Sequence, residues 1–209
     1  MIEASRIDAL RVRAARMEGS TPRLLLRPLA LDDAASIQRH FPHWEIVRYL
    51  LAMVPWPYPA NGAWHFCHDT ALPAMEYGMA WHWTLRLRSD PDAVIGMISL
   101  FRREEDNRGL WIGLPWQGQG LMSEASAWAN DIWFGTLGFE RMRVGKARAN
   151  TASRRLSLRQ GMRLVGTAER DFVCGRLDAE TWELTAEEWR AWRRQHPAQP
   201  GGGLAARDA

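Results

Sequence analysis

Lysine is nearly missing from this chain: of its 27 Lys and Arg residues, Lys146 is the only lysine. The basic surface is therefore a guanidinium surface, suited to forked contacts with phosphate. The arginines are scattered and 24 Asp and Glu leave a net charge of only +3. That balance disfavours nucleic acid as a partner. Cysteine is equally scarce. Cys67 and Cys174 cannot build a disulfide framework, and as free thiols they suit a reducing compartment. Long apolar runs are lacking too. None approaches the roughly 20 residues of a membrane helix, so no membrane partner is expected. Met1 to Glu18 has no apolar stretch or small-residue cleavage site of a secretory signal, which makes the cytoplasm the expected compartment.

What is present is a chain of 209 residues, 46% hydrophobic and 24% charged, enough for one domain with a real core. Ile7, Leu10, Ala14 and Met17 recur at helical spacing, so residues 2–18 are expected as a peripheral helix packed on the domain or on a partner subunit. A homodimer is accordingly one expected assembly. The expected division is an extension over 1–19, a domain over 20–196 and a flexible, glycine-rich tail over 197–209.

Within the domain, residues 23–28 read as a strand and Asp32-Asp33 open a helix through His40, with another over 44–51. Pro55, Pro57 and Pro59 remove backbone donors and forbid a helix, and a helix follows around 63–70. Strand-like runs at 79–87, 93–101 and 109–114 form a meander. The period then becomes helical over 121–137. Strands at 142–148, 164–173 and 179–184 alternate with helices at 152–160 and 185–196, the last opened by the capping box Thr185-x-x-Glu188. Together these give an α+β domain built on a mixed central sheet of about seven strands with helices on both faces.

The most informative segment is Leu114-Pro115-Trp116-Gln117-Gly118-Gln119-Gly120-Leu121-Met122-Ser123, a strand end, a glycine turn and a helix start. Such a turn aims free amides and the positive end of a helix at one point, an anion site. Side-chain-free Gly118 and Gly120 allow close approach, and the Ser123 hydroxyl adds a donor. No Lys-Ser or Lys-Thr follows and a third glycine is lacking, which disfavours a nucleotide-triphosphate enzyme and a dinucleotide fold. One strand further on, Asn150-Thr151-Ala152-Ser153-Arg154-Arg155 opens a second helix. Asn150 and Ser153 equally suit plain capping.

The succession Gln117-Gly118-Gln119-Gly120, strand, Asn150-x-x-Ser153, Gly161-Met162-x-x-x-Gly166 resembles the GNAT superfamily of N-acetyltransferases, in its RimJ/RimL-like branch. Leu26-Arg27-Pro28-Leu29 with Asp32-Asp33-Ala34, and Trp182-Glu183-Leu184-Thr185 with Glu188-Trp189, are similar to that branch, so the likeness spans residues 23–189. It implies acetyl-CoA as acetyl donor and an amine as acceptor, a small molecule or a protein amino terminus. It implies that Trp111, Ile112, Gly113 and Leu114 splay from the next strand and pair with the pantetheine arm. Gln117, Gly118, Gln119, Gly120, Leu121, Met122 and Ser123 would cradle the diphosphate. Asn150 would hold the pantetheine or adenosine side, Arg154 or Arg155 would reach a phosphate, and Ser153 would protonate the leaving thiolate.

The chain departs from the family pattern at Met122, where a small residue is usual, and at Gly161-Met162 in place of Gly-Phe. Neither change removes a main-chain donor. The family position for a basic glutamate falls on Phe172, and strand alternation sets Glu169 and Asp171 on the other face, so no general base is assigned. That gap keeps open a second reading, a non-catalytic acetyl-CoA sensor. His65, Cys67 and His68 lack a partner motif, and no metal site is expected. His40, His43 and His82 are candidates for the border of the acceptor pocket. The tryptophans, among them Trp44, Trp56, Trp81 and Trp83, are expected chiefly in the core, and the loops 41–61 and 174–178 to choose the acceptor.

Overall fold

The computed structural model describes residues 14–197 and the backbone of 204–206. Strands β1 (Met17–Ser20) and β2 (Leu24–Pro28) lead through a 3-10 turn (Leu31–Asp33) into α1 (Ala34–His40) and α2 (Trp44–Val47). Helix α3 (Gly62–His65) continues through a π turn (Phe66–Ala71) into α4 (Leu72–Glu76). The meander β3 (Ala80–Leu87), β4 (Gly96–Phe101) and β5 (Arg108–Ile112) follows, then a 3-10 turn (Leu114–Trp116) and α5 (Leu121–Asp131), prolonged by a π turn (Ile132–Thr136). The chain closes with β6 (Arg141–Ala147), α6 (Thr151–Arg159), β7 (Arg163–Phe172), β8 (Gly175–Thr185), α7 (Ala186–Gln195) and β9 (Leu204–Ala206).

The α+β domain is as expected, but its strands divide between two antiparallel sheets instead of one mixed sheet. Their orders are β5-β4-β3-β2-β1-β9 and β6-β8-β7. The division falls between β5 and β6, which share no ladder among the described residues. Pairing partners are not encoded in strand periodicity, which is why the sequence did not reveal the break.

Helices cover both faces of the larger sheet. On β3, Trp83 meets Trp128 of α5 edge-on at 5.0 Å, while its neighbour His82 points the other way, 5.7 Å from Phe66 of the π turn. Alternate β3 residues thus feed two core layers, and Trp81, Trp83 and Leu85 are fully buried. On the second layer Arg86 pairs with Asp33, fixing the 3-10 turn before α1 to the sheet. The capping box of α7 forms as expected: Glu188 N–H donates to Thr185 Oγ1 at 3.2 Å and Thr185 N–H to Glu188 Oε2 at 2.8 Å.

Three local expectations change. Met17 and Glu18 lie in β1, paired with β2 and β9, so the helical spacing does not extend to residue 18, and the rest of that expected helix lies largely outside the described residues. Leu204–Ala206, expected within a flexible tail, pair antiparallel with Met17–Gly19. Helix α2 stops at Val47 rather than running to Leu51, because Leu51 bridges Phe172 at the end of β7. In each case a distant strand captures the backbone, and tertiary pairing overrides local spacing.

Candidate active site

The break between the sheets is pinned at one end. Asn107 N–H donates to the Arg143 carbonyl at 2.7 Å, and Arg143 N–H returns a bond to Asn107 Oδ1 at 2.7 Å. Asp106, left-handed at φ 54, accepts from Gly145 N–H at 2.8 Å and from Arg170 Nη1 at 2.9 Å. Next along the chain, the buried Arg108 donates from Nη1 to Asn130 Oδ1 of α5 at 2.7 Å and to Gln160 Oε1, the C-cap of α6, at 2.9 Å. No carboxylate pairs with it among the described residues, and burial pulls its guanidinium down to about 10. The negative end of α6 helps to offset the charge.

Past this clamp β5 and β6 part. Phe101 N–H donates to Asn107 O at 2.9 Å, and Gly113 N–H to Ile95 O at 2.8 Å. These bonds set the alternation: Gly109 and Trp111 spend their main-chain groups, and Gly113 its N–H, on the β4 side, while Leu110 and Ile112 turn theirs to the opposite edge, which faces the gap. Gln117 Nε2 donates to Ile112 O at 3.1 Å. The Leu110 N–H and C=O and the Ile112 N–H find no partner among the described residues. The free groups on Trp111–Leu114 implied by the resemblance are therefore narrowed. Trp111 and Gly113 are committed to β4, and Leu110, which sequence reasoning missed, joins Ile112. The missing signal was parity, which needs the ladder register.

At the end of β5 the chain makes the glycine turn. Gln117 to Gly120 are exposed, and Gly118 and Gly120 take φ of +75° and +79°, the left-handed region that glycine enters without strain. A Cβ on Gly118 would meet nothing within 4 Å, so that face is open. The N–H groups of Gly118, Gln119, Gly120, Leu121 and Met122 have no acceptor among the described residues. Two residues leave the expected cradle as amide donors: Gln117 N–H closes the preceding turn on Leu114 O, and Ser123 N–H bonds Gly120 O at 3.0 Å.

Helices α5 and α6 both run from the open end of the gap toward the clamp. Each starts after its strand has left the clamp, and each reaches Arg108 near its far end, α5 through Asn130 and α6 through Gln160. Their positive N-terminal ends therefore sit on the same side, where the strands have separated. Asn150 caps α6, its Oδ1 accepting from Ser153 N–H at 3.0 Å. Arg154 is engaged by the buried Glu180 at 2.8 Å, whereas Arg155 is exposed with no partner among the described residues. The sole lysine is buried under α6, where Lys146 Nζ donates to Ser153 O at 3.3 Å and to Ser157 Oγ. Burial, with Arg108 and Arg154 nearby, pulls its ammonium down to about 7 against the opposing pull of Glu180.

A gap with an unpaired strand edge, five free amides and two helix starts on the same side suits an extended ligand with an anionic end. A sequence profile described as the acetyltransferase (GNAT) domain matches residues 23–163, most of the chain. The chain belongs to the GNAT acetyltransferase family. It is an acyltransferase domain of a family that uses acetyl-CoA. No curated protein matches the sequence. Solved structures similar in fold include Mycobacterium smegmatis RimJ in complex with CoA-disulfide, 17% identical, with a TM-score of 0.72 over 87% of this chain and 95% of that one. The ribosomal-protein-S5-alanine acetyltransferase of Vibrio fischeri is 14% identical, with a TM-score of 0.70 over 82% and 98%. A GNAT-family acetyltransferase of Bacillus anthracis is 16% identical, with a TM-score of 0.67 over 81% and 99%.

In this GNAT domain the first loop expected to choose the acceptor meets the β7–β8 turn, and of the second, expected over 174–178, all but Cys174 belongs to β8. Val173 N–H donates to Leu50 O at 2.9 Å and Cys174 N–H to Arg48 O at 3.1 Å, joining the segment after α2 to the β7–β8 turn. The first loop also touches β5, where Phe41 lies edge-on to Trp111 at 5.3 Å, so it bridges the two sheets. His40 packs edge-on against Trp116 of the turn at 5.1 Å, and burial with Arg39 and His43 nearby lowers its pKa. His82 does not border a pocket: it is buried, bonded to Ser99 Oγ at 2.8 Å, and held down at about 4 by burial. Trp81 and Trp83 are core, but Trp44 and Trp56 are 40% and 41% exposed and lie 5.5 Å apart.

Proposed function

We propose that this GNAT domain is an N-acetyltransferase of the RimJ/RimL-like branch, acting in the cytoplasm on a primary amine, a protein amino terminus or a small molecule. The observation that carries the reading is the unpaired edge of Leu110 and Ile112 running into the five free amides of the glycine turn. An acyl-CoA has a matching order of groups: a thioester, an amide-bearing pantetheine arm and a diphosphate. The strand edge would pair with the arm, the residues from Gly118 to Met122 with the diphosphate, and Arg155 with a peripheral phosphate.

The reaction is direct transfer in a ternary complex. The neutral amine attacks the thioester carbonyl, polarised by a main-chain N–H of β5; the C–N bond forms as the C–S bond breaks, the nitrogen sheds its surplus proton to water, and the thiolate takes a proton from a donor that solvent then reprotonates. Ser153 is the proposed donor of that proton, because its hydroxyl stands one turn inside the N-terminus of α6 with no bond of its own among the described residues. A covalent acyl-enzyme is disfavoured at Cys67, a fully buried thiol that burial and Asp33 push up to about 11. The base position of the family falls on the buried Phe172, so the ammonium would lose its proton to solvent before attack.

Thiol release from acetyl-CoA tests the reading against a panel of amines and of peptides with free alanine or serine amino termini. Turnover with intersecting initial-rate lines supports it. Tight CoA binding without turnover on any acceptor would favour the non-catalytic sensor, the reading that the buried Phe172 keeps in view.

A further inference from the structure

Arg23, on the loop before β2, reaches across to the glycine turn. Its Nη1 donates to the Gln119 carbonyl at 2.9 Å, and its Nε and Nη2 both lie 2.5 Å from Glu124 Oε1. Thr21 Oγ1 holds the other carboxylate oxygen at 2.7 Å. One guanidinium thus bridges a turn carbonyl and a carboxylate in the first turn of α5.

We propose that Arg23 is a positioning residue for the diphosphate turn, drawing the Gln119 carbonyl aside and cancelling the negative charge of Glu124 beside the anion. The inference rests on the acetyl-CoA reading and adds to it a residue about a hundred positions away in sequence. Two physical effects combine. In a trans peptide the C=O and the following N–H point in opposite directions, so anchoring Gln119 O on Arg23 directs Gly120 N–H to the other side of the turn. Glu124 favours the start of α5 through the helix dipole, but unpaired it would repel a diphosphate bound at the same helix end. Nη2 stands 3.4 Å from where a Gly120 Cβ would lie, so the guanidinium backs the turn closely.

Tryptophan-fluorescence titration of the full chain with CoA, and with pantetheine, which has the arm but no diphosphate, tests the role. Arg23→Met is expected to weaken CoA binding about 30-fold and leave pantetheine binding unchanged. Arg23→Lys should behave like Arg23→Met, because one ammonium does not span both acceptors. Glu124→Gln alone should bind CoA at least as well as wild type, and Arg23→Met/Glu124→Gln should regain about tenfold of the loss. An exposed pair adds little stability, so thermal melts should stay within a few degrees; if Arg23→Met melts early, Arg23→Gln repeats the series. Normal CoA binding by Arg23→Met, or a double variant as weak as Arg23→Met, overturns the proposal. Wild-type protein that binds no CoA would sink the acetyl-CoA reading itself, a different result from either.

Discussion

The two ends of the gap between β5 and β6 differ in one respect above all. At the clamp the side-chain polar groups of Asp106, Asn107 and Arg108 are nearly all spoken for, with the Arg108 Nε as the buried exception. At the open end, a few residues along the same strand, Leu110, Ile112 and the glycine turn leave main-chain donors free. Stability is concentrated where binding capacity is lowest, and binding capacity where the structure has not satisfied itself. A strand pair that zipped along its whole length would be more stable and would have nothing to offer a ligand. The clamp joins the two strands at one end and no ladder follows beyond it, so the Leu110 and Ile112 amides are free before a ligand arrives.

Changes at the clamp should damage folding, and changes at the open end should damage binding. The largest effect is expected from Arg108→Met, which leaves Asn130 Oδ1 buried without its donor and Gln160 Oε1 with only the 3.5 Å bond from Asn130 Nδ2, and should cost about 3 kcal/mol, read as a lower denaturant midpoint. A midpoint like that of wild type would mean the clamp does not carry the stability assigned to it. At the other end, Gly118→Asp sets a carboxylate into open space beside the amides. It should weaken CoA binding about 100-fold by calorimetry, with a stability loss near 1 kcal/mol from the left-handed backbone. Equal loss of folding and binding would dissolve the distinction between the ends.

Lys146 lies between the two regimes and gives the comparison a pH signature. Its folded pKa, about 7, lies below the ordinary lysine value, so between about pH 7 and 10 the unfolded chain binds the extra proton. Stability from this group therefore rises with pH across that window, by at most about 1.4 kcal/mol per pH unit, with the full penalty present below it. Denaturation of wild type and Lys146→Met at pH 7 and pH 9 should show the slope in wild type alone; parallel behaviour would remove Lys146 as its source. The smallest effect is expected from Ser153→Ala, about a tenfold fall in kcat with unchanged CoA affinity, because Asn150 caps the main chain of residue 153 and not its hydroxyl. An unaltered rate would remove Ser153 from the reaction.

Much of the open end was legible beforehand. Gln117 to Ser123 announced an amide-rich turn through Gly118 and Gly120 alone, since left-handed backbone and close approach are properties of glycine itself. Asn150 was recognisable as a cap, and Thr185 with Glu188 as a capping box, because both act within four residues. The clamp was not legible. Asn107 and Arg143 are ordinary residues until β5 and β6 are set side by side, and the pairing of Arg108 with Asn130 and Gln160 spans three elements. Trp44 and Trp56 could not be told from Trp81 and Trp83 by type, because exposure depends on what packs over them. The reach of Arg23 to Gln119 and Glu124 is of the same kind.

The sequence by itself determined the order of elements, the α+β class, the glycine turn and the helix starts, each governed by torsional preference, periodicity or hydrogen bonds between near neighbours. Tertiary structure alone decided that the sheet divides, that Leu110 and Ile112 rather than Trp111 and Gly113 present their amides, and that two helices start on the same side of the gap. Those facts depend on register and on contacts between distant segments, whose energies exist only once the chain has brought them together.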